Sequence, residues 1–174
     1  MRAVVVYESM YGNTHAVAAA IGAGLGAVMD VEVLSVHDAA ASVLDGADLL
    51  VVGGPTHAHG VSRAATRASA IEDAANPEKH LELDPDAEGD GLREWFDALP
   101  ALGVKAAAFD TRVDMAVAFT GRASKGIAKR LRRHGCELVV DPESFLVTKE
   151  TELEPHEAER ATAWGASLGA VLAG

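Results

Sequence analysis

A three-layer, doubly wound α/β fold with a five-stranded parallel sheet in the order 2-1-3-4-5 is what the sequence predicts, on three observations. Short uninterrupted apolar runs, Ala3-Val4-Val5-Val6-Tyr7 and Leu49-Leu50-Val51-Val52, have the length and β-branched content of strands covered on both faces. They alternate with segments of helical hydrophobic period, the pattern of right-handed βαβ crossovers. The first run also stops in a loop of small and hydroxyl residues that opens a helix. In such sheets the ligand crevice lies there, beyond the carboxyl ends of the strands.

The first strand, Ala3–Tyr7, leads to a helix whose inward face is read from Val17, Ile21, Leu25 and Val28, with Asn13 or Thr14 as its cap. A second strand is expected at about Val31–Val36 and a short helix from Asp38 to about Leu44. The third strand, Asp48–Val52, ends in Gly53-Gly54-Pro55-Thr56-His57-Ala58-His59-Gly60, read as a loop from its breakers. Val61 to about Ala75 reads as a helix with Ala64, Ala65, Ala68 and Ile71 facing inward. Residues 76–91, with Pro77, Pro85, Gly89, Gly91 and many acids, read as an acidic surface insertion without calcium-loop spacing.

Leu92, Trp95, Phe96 and Leu99 form an apolar helical stripe that stops at Pro100. A fourth strand spans Val104–Phe109, followed by a long loop from Asp110 to about Gly121. The next helix begins at Ser124, with Ile127, Ala128 and Leu131 inside, a basic outer face, and Gly135 as its C-cap. The fifth strand, Glu137–Val140, is interrupted at Asp141-Pro142 and resumes over Ser144–Thr148. A last helix starts at Pro155 and docks through Ala161, Trp164, Leu168, Val171 and Leu172.

The 174 residues suit a single domain, 1–174, that buries about 70% of its unfolded surface. A hydrophobic content of 49% with 24% charged residues is that of a soluble globular chain. No apolar run is long enough for membrane insertion, and Met1-Arg2-Ala3 enters a strand with no secretory signal pattern. The single cysteine, Cys136, has no internal disulfide partner, which fits a cytoplasmic location. A net charge of −11 argues against nucleic-acid binding and favours soluble partners with basic patches.

The loop Ser9-Met10-Tyr11-Gly12-Asn13-Thr14 is the first candidate site. Free backbone N–H groups and the positive end of the helix dipole point into it, so it suits an anion. It has no Lys or Arg, and a phosphate there would be held by amides and by the hydroxyls of Ser9 and Thr14. The run Val5-Val6-Tyr7-Glu8-Ser9-Met10-Tyr11-Gly12-Asn13-Thr14-His15-Ala16-Val17-Ala18-Ala19-Ala20-Ile21 resembles the N-terminal signature of flavodoxins. The resemblance implies a flavodoxin-like fold, FMN as cofactor with its 5′-phosphate in this loop, and electron transfer. It further implies redox partner proteins, a reductase and an acceptor, docking on an acidic surface.

The loop of Pro55, Thr56, His57, Ala58, His59 and Gly60 resembles the flavin-edge loop of flavodoxin-like quinone reductases. That likeness puts its backbone on the polar edge of the isoalloxazine and gives Gly60 a peptide flip. His57 and His59 are candidates for a proton donor near the ring, or else loop histidines without chemistry; their pairing is a weak metal signal. Asp110, Thr111 and Arg112 stand to read the pyrimidine edge or ribityl hydroxyls, or Arg112 to meet a substrate anion. Neither ring-facing loop has the Trp or Tyr that flavodoxins usually place there.

Three functions compete: a low-potential FMN electron carrier, an NAD(P)H-dependent quinone or flavin reductase or flavin oxidase, and a non-redox interaction module. The carrier leads on the phosphate loop at the switch point of a five-strand pattern, and an acidic surround would disfavour the anionic hydroquinone and so lower its potential. The glycines of Gly22-Ala23-Gly24-Leu25-Gly26 end a helix and make no dinucleotide fingerprint, Gly121–Gly126 lacks a Walker ending, and Cys136 has no adjacent base.

Overall fold

The computed structural model describes residues 1–173, and its core is one twisted sheet with helices on both faces. In chain order the elements are β1 (Arg2–Tyr7), α1 (Asn13–Leu25), β2 (Asp30–Ser35), α2 (Ala41–Leu44), β3 (Leu49–His57), β4 (Gly60–Val61) and α3 (Ala64–Ala75). A 3₁₀ turn at Pro77–Lys79 precedes α4 (Leu92–Ala98), β5 (Lys105–Val113), α5 (Val117–Thr120), α6 (Ala123–Arg133), β6 (Glu137–Leu138), β7 (Glu143–Val147) and α7 (Glu157–Ala173). β1 lies between β2 and β3, all parallel, and β5 pairs with the far side of β3.

The outer strand is split, as expected at Asp141-Pro142. β6 pairs with Lys105 and Ala106, while β7 pairs with Phe109–Val113. With β4 as a two-residue hairpin partner of β3, the parallel path is the expected 2-1-3-4-5 winding, with β6 and β7 sharing the fifth place.

The two faces of β1 sort the core. Ala3, Val5 and Tyr7 face α1 and α7, together with Val17, Ile21, Leu25, Phe109, Phe145 and Leu168. Val4 and Val6 face the other layer, with Leu92, Trp95, Phe96, Ile127 and Leu131. The α1–α7 crossing is close because glycines line it. A Cβ on Gly24 would stand 2.0 Å from the Thr162 carbonyl oxygen, and one on Gly165 would stand 2.3 Å from that of Ile21.

Four expectations change. Gly53 and Gly54 belong to β3, not to a loop. A Cβ on Gly53 would sit 2.1 Å from the Phe109 ring, and one on Gly54 2.6 Å from Leu92, so these glycines mark close packing within a strand. α1 ends at Leu25, which leaves Val28 55% exposed, and Val171 likewise faces out of α7. On α3 the expected face is inverted: Ala64, Ala65 and Ala68 are exposed, while Arg67 and Ala70 are buried. Arg67 Nη1 donates to Ser62 Oγ and Nη2 pairs with Glu94, while its buried Nε is left without a partner.

Residues 76–80 are exposed as expected of an acidic insertion, but the segment turns inward beyond them. Asp84 and Ala87 are buried, and the Asp84 N–H donates to the Met10 carbonyl at 2.8 Å. Met10, Ala70 and Ala87 form a small apolar cluster of their own, with Tyr11, Ile71 and Leu83 against it. The Tyr11 hydroxyl donates to the Ala70 carbonyl at 2.9 Å.

The α1–α7 contact is the most sensitive test of this packing. Gly165→Ala should lower stability by about 1–3 kcal/mol, because the added methyl meets rigid backbone rather than a movable side chain. Chemical denaturation of both forms, compared by midpoint at equal slope, checks it.

Candidate functional site

The site is built where β1, β3 and β5 end side by side. β1 delivers Glu8, whose N–H continues the sheet to Gly53 O at 3.0 Å, and then Ser9 and Met10. Gly12 is the N-cap of α1, at φ 87°, a left-handed conformation that glycine adopts without strain. The expected caps are engaged elsewhere: Asn13 Nδ2 donates to Thr151 O at 2.8 Å, and the Thr14 and Thr111 hydroxyls meet at 2.7 Å. Ser9 Oγ accepts the Gly12 N–H at 3.1 Å. No side chain caps α1, so its first-turn amides stay available to a ligand.

α6 shows the opposite treatment. Thr56 Oγ1 accepts the Ala123 N–H at 3.0 Å, and Asp110 Oδ2 accepts the Ser124 N–H at 2.6 Å. The protein's own oxygens thus close that helix N-terminus. Asp110 is fully buried, and burial raises its carboxyl pKa while the Ser124 hydrogen bonds oppose the rise. Its carboxylate therefore faces α6, and it is not among the residues lining the cleft described next.

Of the residues singled out in the sequence, Met10, Tyr11, Asn13, Thr14, Pro55, Thr56, His57, Thr111 and Arg112 converge on one cleft of about 240 Å³. Ser9 and Gly12 sit beneath it in the loop. Val113, Val147 and Thr151 complete the wall. Thr151 gave no signal in the sequence, since Lys149-Glu150-Thr151-Glu152 reads as a polar linker. Its carbonyl holds Asn13, and its φ of 67° marks it as conformationally special. Arg112 donates to the Met115 carbonyl at 2.8 Å, yet its buried Nε has no partner.

Ala58, His59 and Gly60 turn away from this cleft and line a second hollow of about 270 Å³ with Arg63 and Arg93, with His57 bordering both. Thr56–Val61 and His57–Gly60 pair as a hairpin whose two central residues, Ala58 at φ 43° and His59 at φ 72°, define a type I′ turn. The strain therefore lies on Ala58 and His59, while Gly60 has an ordinary φ. Gly121 closes against the turn: a Cβ there would stand 2.3 Å from His59 O. Burial lowers the His57 pKa below its ordinary value, with Arg67 reinforcing the shift and Glu8 opposing it.

The third loop does carry one aromatic residue, Phe119. It is 71% exposed, beside the exposed Met115 and Val117. A search for Trp or Tyr alone passes over it. Cys136 is buried, which raises its thiol pKa and keeps it unreactive.

The family model for flavodoxin matches residues 5–164. Compared with curated protein sequences, the chain has no match. Among solved structures it is similar to a flavodoxin from the domain Archaea, at 22% identity and a TM-score of 0.67 over 100% of both chains. It is similar to oxidised flavodoxin 1 from Bacillus cereus, at 21% identity and a TM-score of 0.66, over 99% of this chain and 97% of that one. A flavodoxin, WrbA-like protein from Agrobacterium tumefaciens aligns at 20% identity and a TM-score of 0.61, with coverage of 99% and 97%.

Two outcomes follow from this geometry. His59→Gly should stabilise the protein by about 0.5–1 kcal/mol by relieving the left-handed backbone, while Gly60→Ala, with open space at its Cβ, should be near neutral. Denaturation midpoints read both. Because the folded pKa of His57 is depressed, the unfolded chain binds the extra proton first as pH falls. Stability should therefore drop as pH falls from the ordinary histidine value toward the folded one, and His57→Asn should flatten that slope.

Proposed function

The chain belongs to the flavodoxin family, whose cofactor is FMN, and from that premise we propose that it is an electron-transfer protein working as a low-potential carrier. The single observation that carries this reading is the uncapped first turn of α1, set at the mouth of a cleft walled by the ends of β1, β3 and β5. Bound FMN supplies the electron-transfer chemistry, and the protein supplies position and electrostatics.

The residues present fit that group. The amides of the α1 first turn would hold the 5′-phosphate, with Gly12 keeping its left-handed turn clear of side-chain bulk. The paired hydroxyls of Thr14 and Thr111 tie the phosphate end to the ring end of the cleft. Arg112, which lines the cleft, would offer a charge-assisted donor to an acceptor on the ring's polar edge. Met10, Pro55, Val113 and Val147 give the cleft apolar walls that exclude water. Burial lowers the pKa of His57, which disfavours a positive charge on its ring beside the cleft.

The charge of −11 supports association with basic redox partner proteins through steering over the whole surface. No helix among the described residues is long and apolar enough to cross a membrane. A second reading, an NAD(P)H-dependent reductase of quinones, is favoured by the absence of an aromatic side chain from Pro55–Gly60. That side of the ring would remain open to a substrate.

Titration of flavin fluorescence tests the reading at its base. The purified protein should take up FMN, and Thr14→Val should weaken uptake about tenfold, the scale of one net hydrogen bond. Failure to bind added FMN would overturn the proposal. Rapid NAD(P)H oxidation with a quinone acceptor would select the enzyme over the carrier.

A further inference from the structure

We propose that His15, Asp84 and Asp86 form a binding site for a divalent first-row transition-metal ion, and that this ion supplies the positive charge the phosphate loop itself lacks. The first half stands on the geometry of this chain. The second half rests on the FMN reading above.

Two segments bring the ligands together. His15 lies in the first turn of α1 and is held by its ring, which stacks on Tyr7 at 4.4 Å with an interplanar angle of 19°. Asp84 and Asp86 flank Pro85 in the segment that folds over the loop, anchored by the Asp84 N–H on Met10 O at 2.8 Å. His15 Nδ1 lies 3.2 Å from Asp84 Oδ2, and one ligand atom from each of the three residues falls within 4.8 Å of the others. Ligand atoms about 2.1 Å from a shared ion lie no more than about 4.2 Å apart, so the side chains need only a small contraction.

The surrounding hydrogen bonds are those that orient metal ligands. Asp84 Oδ1 accepts the Asp86 N–H at 3.0 Å, which leaves Oδ2 turned to His15. The Tyr7 hydroxyl donates to Asp86 Oδ2 at 3.1 Å. Supporting contacts of this kind fix ligand orientation at metal centres. One imidazole and two carboxylates, without thiolate, suit Zn²⁺, Mn²⁺, Fe²⁺ or Co²⁺ and leave positions open for water or a phosphate oxygen.

The charge balance points to the same ligand. The Asp84 side chain is only 2% exposed, and among the described residues its sole ion-pair partner is His15, while Asp86 has none. Asp84 Oδ2 also stands 3.9 Å from the point a Cβ on Gly12 would occupy, so it borders the anion cradle directly. A phosphate entering there meets a buried carboxylate and no Lys or Arg in the loop. A divalent ion between them removes the repulsion that would otherwise oppose both.

Chelator-treated apoprotein, titrated with Zn²⁺ by calorimetry and with Co²⁺ by visible absorbance, tests the site without reference to activity. One ion should bind per chain, and His15→Gln and Asp86→Asn should each weaken binding at least about tenfold while the metal-free forms keep the wild-type circular dichroism. The Co²⁺ spectrum of the wild type provides a readout that no variant can confuse, and it should lack sulfur charge transfer. FMN should bind roughly 5–100-fold more tightly with the ion than with chelator, and Asp86→Asn should erase the difference. No binding of either ion, equal binding in both variants, or a thiolate band from Cys136 would overturn the site. Equal FMN affinity with ion and chelator would overturn its role. Absence of FMN binding in every condition would instead overturn the flavin reading, with the metal titration of the apoprotein still standing.

Discussion

The first turn of α1 presents backbone N–H groups that no side chain caps, and the chain around it keeps them that way. Asn13 and Thr14 are residues that ordinarily cap a helix, yet their side chains are drawn off to Thr151 and Thr111. Ser9 is occupied with Gly12. Nearby, the N-terminus of α6 is closed by Thr56 and Asp110. Two helix ends at the same edge of one sheet thus receive opposite treatment. One is finished by the protein, and the other is left to be completed by a ligand, which sets where an anion can bind.

Close backbone packing makes that edge rigid. Gly53 lets Phe109 lie across β3, and Gly24 and Gly165 let α1 and α7 approach until their backbones touch. The loop at the end of β1 is therefore carried by a strand and a helix that have no room to shift. The hairpin at Ala58 and His59 is fixed differently, by a strained turn held against Gly121. Close packing at the α1 end of the cleft and strain in the hairpin beside it would suit the proposed cofactor, whose phosphate would be gripped at one end while its ring stands at the other.

Much of this could be read in the sequence, and what could not has physical causes. The strand–loop–helix start, the alternation of elements and the break at Asp141-Pro142 are local signals, and they give the topology. Gly53 and Gly54 misled because glycine marks loops and close packing alike, and only the facing Phe109 and Leu92 decide between them. α3 misled because its alanines look like an inward face, whereas a hydrogen-bonded Arg67 takes the buried side. Asp110, expected at the start of a loop, lies within β5, where side-chain direction alternates, and it faces α6. Thr151 and the buried Asp84 reach the site only through long-range folding, across 138 and 69 residues to Asn13 and His15.

The clasp between Asn13 and the Thr151 carbonyl also bears on how the chain is made. α1 is made early, whereas the residue that holds Asn13 follows it by 138 residues and the helix α7 that covers α1 comes later still. A nascent chain can pair β1 with β2 and β3 well before then, yet the loop after β1 lacks its Thr151 wall until that segment is made. The cleft is thereby closed late, and a fragment interrupted before Thr151 would form sheet with one wall of the cleft missing.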